Sequence, residues 1–215
     1  MEDTATVPKP LQYPTSSIQH PIPKLPLDFA LTTERLLIRR LRESDAAEVN
    51  TAAKAALPEL EQWMNGPASL RSLEATQAFI AEGALLALKG DSYRFGAFDK
   101  NNGEFLASLD FGKMSGSRAH IWWIGYWCAP RYTGKGLTTE AVRAISAVIM
   151  EDLHAVRFVL QCAAENEPSN KLAKRCGFVF EGTALNGYKN ALGTLQDTNN
   201  YAHTPATWES FNNAR

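Results

Sequence analysis

"YWCAPRYTGKGLTTEAV", residues 126–142, is the stretch on which the fold of this 215-residue chain turns. An apolar run ends at Pro130. A basic loop follows, Arg131-Tyr132-Thr133-Gly134-Lys135-Gly136, with two glycines two apart. From Leu137 onward Ala141, Ile145, Val148 and Leu153 recur at helical spacing. At such a helix start the first N–H groups lack partners and the dipole favours negative charge. Gly134 and Gly136 let an anion approach the backbone, and Arg131 and Lys135 add charge beside it. Two nucleotide signatures fail here. Gly136 follows Lys135 where a triphosphate loop needs Ser or Thr, and position 139 is Thr where the dinucleotide fingerprint needs Gly. A plain glycine turn before a helix is the competing reading of the loop taken alone.

Composition narrows the classes. The chain is 45% hydrophobic and 21% charged, as in soluble globular proteins, and long enough for one domain with an appendage. Its formal net charge of −1 supplies no global field for nucleic acid or an anionic membrane, so attraction to an anion must be local. Cys128, Cys162 and Cys176 have neither disulfide-framework nor metal-ligand spacing; they read as reduced thiols of a cytoplasmic protein, with no metal expected. No apolar run approaches the ~20 residues of a membrane span. The start lacks the basic-then-apolar pattern of a secretory signal.

Six of the eleven prolines fall within residues 1–28, which reads as an extended or partly disordered arm. Residues 29–215 form the domain. Leu36, Ile38 and Leu41 mark a strand, and Ser44 or Asp45 caps a helix carrying Ala46, Ala47 and Val49. A second helix covers about 73–88. Three strands follow, "YRFGAFD", "GEFLASLDFG" and "AHIWWIGYWCA", the first two joined at "KNNG". Then come the helix from 137 to about 153, a strand "RFVLQCA", a helix from Pro168 to about Cys176, and strands near 178–187 and 194–202. The order is that of an α+β domain with one strand–helix–strand crossover around the quoted loop.

The run from Arg131 to Gly182 resembles the acetyl-CoA-binding half of the GCN5-related N-acetyltransferases (GNAT), most closely the RimJ/RimL-like branch. The motif R/Q-x-x-G-x-G/A falls on Arg131, Gly134 and Gly136, preceded by Gly125-Tyr126-Trp127 and followed by the acidic Glu140. "N-x-x-S … G-F … E-G" falls on Asn166, Ser169, Gly177, Phe178, Glu181 and Gly182, and "ERLLIRRLRESDA" resembles the branch's first strand and helix. The likeness runs from about 32 to 208 and leaves the arm outside. It implies a mixed sheet of about seven strands splayed between the fourth and fifth, with about four helices around it. It also implies acetyl-CoA as co-substrate and an amine as acceptor, in a monomer or homodimer. The pantetheine arm is expected on the backbone of Tyr126, Trp127 and Cys128, and the pyrophosphate on the amides of Tyr132, Thr133, Gly134, Lys135, Gly136 and Leu137. Asn166 is either a further pantetheine ligand or a turn residue before the Pro168 helix. Lys171, Lys174 and Arg175 are candidates for the 3′-phosphate or a solvated face.

An amine acceptor is mostly protonated at neutral pH, so the site must remove a proton, stabilise an oxyanion and protonate a thiolate. In the family a backbone N–H near Trp127 or Cys128 polarises the carbonyl. Many members carry a glutamate just before "IGY"; here that residue is Trp123. Asp110 and His120 remain as bases, and Glu104 looks like a turn residue. The family tyrosine seven residues after the Asn is Ala173 here, so the acid passes to Ser169, to Tyr188, or to water. Trp63, Trp122, Trp123, Trp127 and Phe111 are either an acceptor wall or core. "LPELEQWMNG" matches the variable segment that forms the family's acceptor cleft, where Glu59 and Glu61 are either holders of a cationic amine or solvated side chains. Loss of the usual carboxylate and tyrosine also admits an acetyl-CoA-binding module without chemistry. A phosphate-binding regulator unrelated to acyl transfer is the third class.

Overall fold

The structure is a computed structural model that describes residues 23–66, 70–115 and 120–214. Eight strands form one sheet in the order β1-β2-β3-β4-β5-β6-β8-β7. They are β1 (Ala30–Thr32), β2 (Leu36–Arg40), β3 (Ser92–Asp99), β4 (Phe105–Lys113), β5 (Ile121–Cys128), β6 (Arg157–Ala163), β7 (Val179–Lys189) and β8 (Leu195–His203). The helices are α1 (Ala46–Trp63), α2 (Leu73–Lys89), α3 (Leu137–Ala147), α4 (Glu167–Arg175) and α5 (Pro205–Asn213). Every neighbouring pair is antiparallel except β5 and β6, the two ends of the crossover through α3. The expected splay between fourth and fifth strands is therefore the β5–β6 junction. The count exceeds seven because β1 is three residues long and carries no period a sequence can show. The fifth helix follows a capping signal, Thr204 before Pro205: the Thr204 Oγ1 accepts the Thr207 N–H, and Trp208 and Phe211 pack around His203.

Alternation along the strands divides the core in two. Leu36, Ile38, Tyr93, Phe95, Leu109, Phe111, Trp122 and Ile124 face α3, α4 and α5. Phe98, Phe105 and Trp127 face α1 and α2 with Leu41, Val49, Leu60 and Ile80. Helix ends follow local chemistry. Ser72 Oγ accepts the Ala75 N–H, and Gly90 at φ 73° closes α2 in a conformation that disfavours other residues. The expected cap at Asp45 is different in kind: its carboxylate takes the Arg42 N–H at 2.7 Å and the Arg39 fork at 2.7 and 2.9 Å, fixing the turn before α1. Most of the segment "LPELEQWMNG" belongs to the first helix and does not follow it, since α1 continues through Pro58 to Trp63.

The packed domain begins before residue 29. Leu25 is 6% exposed within the larger core, and its N–H donates to the Tyr93 hydroxyl at 3.1 Å. Arg40 also reaches the Leu27 carbonyl at 2.6 Å. The extended or disordered arm expected from the prolines otherwise lies outside the described residues. A chain truncated to start at Asp28 is expected to lose about 2–3 kcal/mol of stability, the burial of one leucine plus a stranded Tyr93 hydroxyl. Urea denaturation against a chain starting at Lys24 measures this; equal midpoints would show that Leu25 contributes nothing.

Candidate active site

β5 and β6 pair only from Ile121–Ile124 to Arg157–Leu160, then separate. Past that point Gly125–Cys128 stay bonded to β4, and Gln161–Ala163 to β8, so each keeps one unpaired edge facing the gap. Asn170 ties α4 to the end of β6 and to β8, on one side of the gap. Its amide donates to the carbonyls of Ala163, Ala164 and Asn166, and its oxygen accepts from Asn199 and Tyr201. The cleft has a volume of about 860 Å³. Backbone edges of this kind suit an extended chain with its own amides.

The glycine loop forms one wall. A single turn at Pro130–Tyr132 consumes two amides, because Tyr132 N–H donates to Ala129 and Thr133 N–H to Pro130. The pyrophosphate amides expected at 132 and 133 are thus spent within the loop. Among the described residues, the N–H groups without a backbone acceptor run from Gly134 to Thr139, and the first helical bond is Glu140 to Gly136. Gly134 and Gly136 have φ of +74° and +76°, and a Cβ on Gly134 would meet nothing within 4 Å. These glycines bend the chain so that the amides line open space.

The loop's two cations are placed otherwise than expected. Arg131 pairs with Glu104 at 2.7 Å and stacks on Tyr132, and Lys135 lies over the other reach of the same ring, 5.1 Å from its centroid. Neither lines the cleft. Glu104, read as a turn residue, also accepts the Tyr132 hydroxyl and so braces the loop. Positive charge on the cleft wall comes from α4, where Lys171 and Arg175 line it and Lys174 does not. Asn166 caps α4 by accepting the Ser169 N–H at 3.1 Å, which leaves its NH₂ toward the cleft it lines.

The proton-transfer candidates separate in position. Ser169 Oγ is 2.7 Å from the Tyr126 hydroxyl, across the gap from β5. Burial raises the Tyr126 pKa well above its ordinary value, so both hydroxyls keep their protons and either can donate to the other. Tyr188 lines the cleft and accepts the Asn65 N–H; burial raises it too. Asp110 sits inside β4 rather than at its end, opposite Gly125, on the α1–α2 side of the sheet. The residue is half-buried, but its Oδ1 is enclosed and unpartnered among the described residues. Burial pushes its pKa up to about 7 against the opposing pull of Arg94. Gly125 lines the cleft, and a Cβ there would meet only the Trp123 ring at 3.7 Å. Asp110 itself does not line the cleft; its cross-strand neighbour Gly125 does. His120 precedes β5, half-buried, and does not line the cleft.

Trp63, Trp123 and Trp127 line the cleft with Glu59, Met64 and Met114, whereas Trp122 and Phe111 are core at 0% exposure. Glu61 turns away to pair with Arg71. The β7–β8 turn roofs this side by gripping the end of α1: Asn190 donates to Gln62 O at 2.9 Å and Ala191 to Met64 O at 2.8 Å. Cys128 and Cys162 also line the cleft, and burial raises both thiols.

A sheet splayed at a parallel junction, beside a helix start with six free amides, defines the acyl-CoA N-acyltransferase architecture. The chain belongs to the acetyltransferase (GNAT) domain family, whose match spans residues 35–179. It is 28% identical over 123 residues to the ribosomal-protein-serine acetyltransferase of Escherichia coli, covering 57% of this chain and 67% of the relative. It is 27% identical to the E. coli [ribosomal protein uS5]-alanine N-acetyltransferase, covering 72% and 80%. Among solved structures, a RimL ribosomal L7/L12 α-N-protein acetyltransferase in complex with coenzyme A has the same fold. It superposes with a TM-score of 0.73 at 24% identity over 80% of this chain and 95% of that one. The ribosomal-protein-S5-alanine acetyltransferase of Vibrio fischeri gives 0.75 at 20% identity over 84% and 99%. The protein is an N-acetyltransferase that uses acetyl-CoA and an amine acceptor. No helix of the described residues is long and apolar enough to cross a membrane.

Proposed function

We propose that the acceptor is the α-amine of a protein N-terminus and that the acetyl group passes to it directly, with both substrates bound. The observation that carries this is the likeness to the E. coli relatives in a chain whose cleft has room, an aromatic wall and the Glu59 carboxylate for a cationic amine end. An α-ammonium of pKa ~8 also gives up its proton more readily than a lysine of pKa ~10.4, by about 2.4 pKa units, whatever the base. The two E. coli relatives, named for ribosomal-protein serine and alanine, support the same acceptor class. That class fits a cytoplasmic protein.

Acetyl-CoA supplies an acyl group already activated as a thioester. The unpaired edge of Tyr126–Cys128 and the NH₂ of Asn166 hold its extended arm, the amides from Gly134 to Thr139 its pyrophosphate, and Lys171 and Arg175 lie where a further phosphate would reach. Asp110 takes the ammonium proton, directly or through a water over Gly125. The amine nitrogen then bonds to the carbonyl carbon, whose oxygen meets the Cys128 N–H, since the alternation that pairs Ala129 with Leu106 commits the Trp127 N–H to β4. As the C–S bond breaks, Ser169, paired with the Tyr126 hydroxyl, gives its proton to the sulfur and regains one through water from the acylated nitrogen, which sheds its surplus proton to become the amide; Tyr188 is the alternative donor. Cys128 and Cys162, with thiols raised by burial, are poor nucleophiles, which favours direct transfer over an acetyl-cysteine route.

The test is CoA-thiol release over a panel of peptides with free N-terminal Ser or Ala, the same peptides N-terminally blocked with an internal lysine, and small aliphatic amines. Free N-termini are expected to give the highest kcat/KM. Turnover confined to lysines or small amines would sink the acceptor assignment. Tight acetyl-CoA binding with no turnover on any amine would identify a binding module without chemistry.

A further inference from the structure

Arg35 lies in the turn between β1 and β2, far along the chain from the glycine loop, yet it closes onto it. Its N–H donates to Glu140 Oε1 at 2.9 Å, its Nε to Glu140 Oε2 at 2.6 Å, and its Nη1 to the Lys135 carbonyl at 2.9 Å. Thr33 adds a hydroxyl to Glu140 Oε1 at 2.5 Å. Nη2 is 3.6 Å from where a Cβ on Gly136 would stand. We propose that Arg35 is a positioning residue for the cofactor: it locks the Lys135–Gly136 peptide so that its N–H, and not its carbonyl, faces the pyrophosphate.

The reason is the geometry of a trans peptide. The carbonyl of residue 135 and the N–H of residue 136 lie in one plane and point in opposite directions, so holding the Lys135 oxygen on Arg35 aims the Gly136 N–H the other way. Gly136 lines the cleft, and glycine at φ +76° has no side chain to oppose a peptide flip. A flipped peptide would present a carbonyl oxygen to a phosphate. Arg35 does a second service through Glu140. A carboxylate in the first turn of α3 suits the empty helix dipole but repels a bound dianion. Burial acts to raise the Glu140 pKa, yet hydrogen bonds from Thr33 and Arg35 outweigh it and hold the group ionised, below the usual carboxylate range. Its charge is then offset by the guanidinium lying against it.

This inference rests on the glycine loop being the pyrophosphate site. Arg35→Ala is expected to raise the Kd for acetyl-CoA about tenfold while kcat at saturation changes less than about twofold, as loss of binding equal in ground and transition states requires. Turnover of acetyl-pantetheine, which has no pyrophosphate, is expected to be unaffected. Arg35→Lys keeps a cation but cannot span Glu140 and Lys135 together, so it is expected to behave like Arg35→Ala. Should Arg35→Ala not fold, Arg35→Met keeps the aliphatic stem and is read the same way. Unchanged acetyl-CoA affinity in Arg35→Ala, a full rescue by Lys, or equal losses with acetyl-pantetheine would each overturn the peptide lock. If Gly134→Asp weakens acetyl-CoA while Arg35→Ala does not, only this inference fails. If neither variant weakens it, the assignment of the loop fails as well.

Discussion

Asp110→Asn is expected to lower kcat/KM about a hundredfold, the lower range of general-base assistance, because the amide cannot take the acceptor's proton. In the parent enzyme kcat/KM should rise with pH through about 7, where Asp110 ionises, and again as the free amine fraction grows. The variant should keep only the second limb. A stability change of opposite sign should accompany the loss. The folded pKa of Asp110 lies above its unfolded value of 3.8, so the native state holds the extra proton between these values. Stability from this group is full below pH 3.8 and is lost as pH rises through 7. At pH 8 the parent carries an enclosed, unpartnered carboxylate oxygen; after discounting for the residue's partial exposure, Asn should gain about 2 kcal/mol over it. A variant both slower and more stable at pH 8, but not at pH 4, is the signature of a strained functional carboxyl. Ser169→Ala in parallel should reduce kcat about tenfold with little change in cofactor affinity, since a CoA thiol leaves readily. If Asp110→Asn keeps full activity, the proton leaves through water alone and Asp110 is not the base.

Gly134→Asp is expected to weaken acetyl-CoA binding tenfold to about a hundredfold, or 1.4–2.7 kcal/mol. Two effects act together. The side chain would enter open space beside the free amides with the same negative charge as the pyrophosphate they attract, and φ of +74° is a conformation that Asp tolerates better than most residues but not freely. Gly134→Asn separates the two, since it shares the backbone cost without the charge and should lose much less. Isothermal titration with acetyl-CoA reads both. Equal affinity in a folded Gly134→Asp protein would remove the loop from the cofactor site altogether.

The legible part of this chain was its local periodicity. Alternation in "YRFGAFD" and "GEFLASLDFG" and the 3.6-residue spacing after Leu137 gave strands and helix where they occur, and α4 starts beside Pro168. The glycine loop was legible because positive φ and open backbone need glycine at fixed places. What stayed hidden depends on partners distant in sequence. Arg131 looked like an anion ligand, since nothing in its own neighbourhood reveals Glu104, 27 positions earlier, which claims it. Arg35 and Glu140, or Tyr126 and Ser169, meet only after the sheet forms. Trp122 and Trp123 are adjacent and chemically alike, yet one is core and the other cleft wall, because strand alternation points them to opposite faces.

The two halves of the sheet meet through four residue pairs, Ile121–Ile124 against Arg157–Leu160. A ligand lying along the remaining edges acts as a keystone between two half-sheets. That role carries its own limit on speed. On the proposed binding mode each cycle ends with spent CoA in the same groove, and every hydrogen bond that seats the keystone must break before the next one enters. A longer β5–β6 ladder would make a sturdier protein with less room for the cofactor; a shorter one would give a looser protein whose halves seat it poorly. Four pairs hold the fold together while leaving its centre to be completed, and vacated, at every turnover.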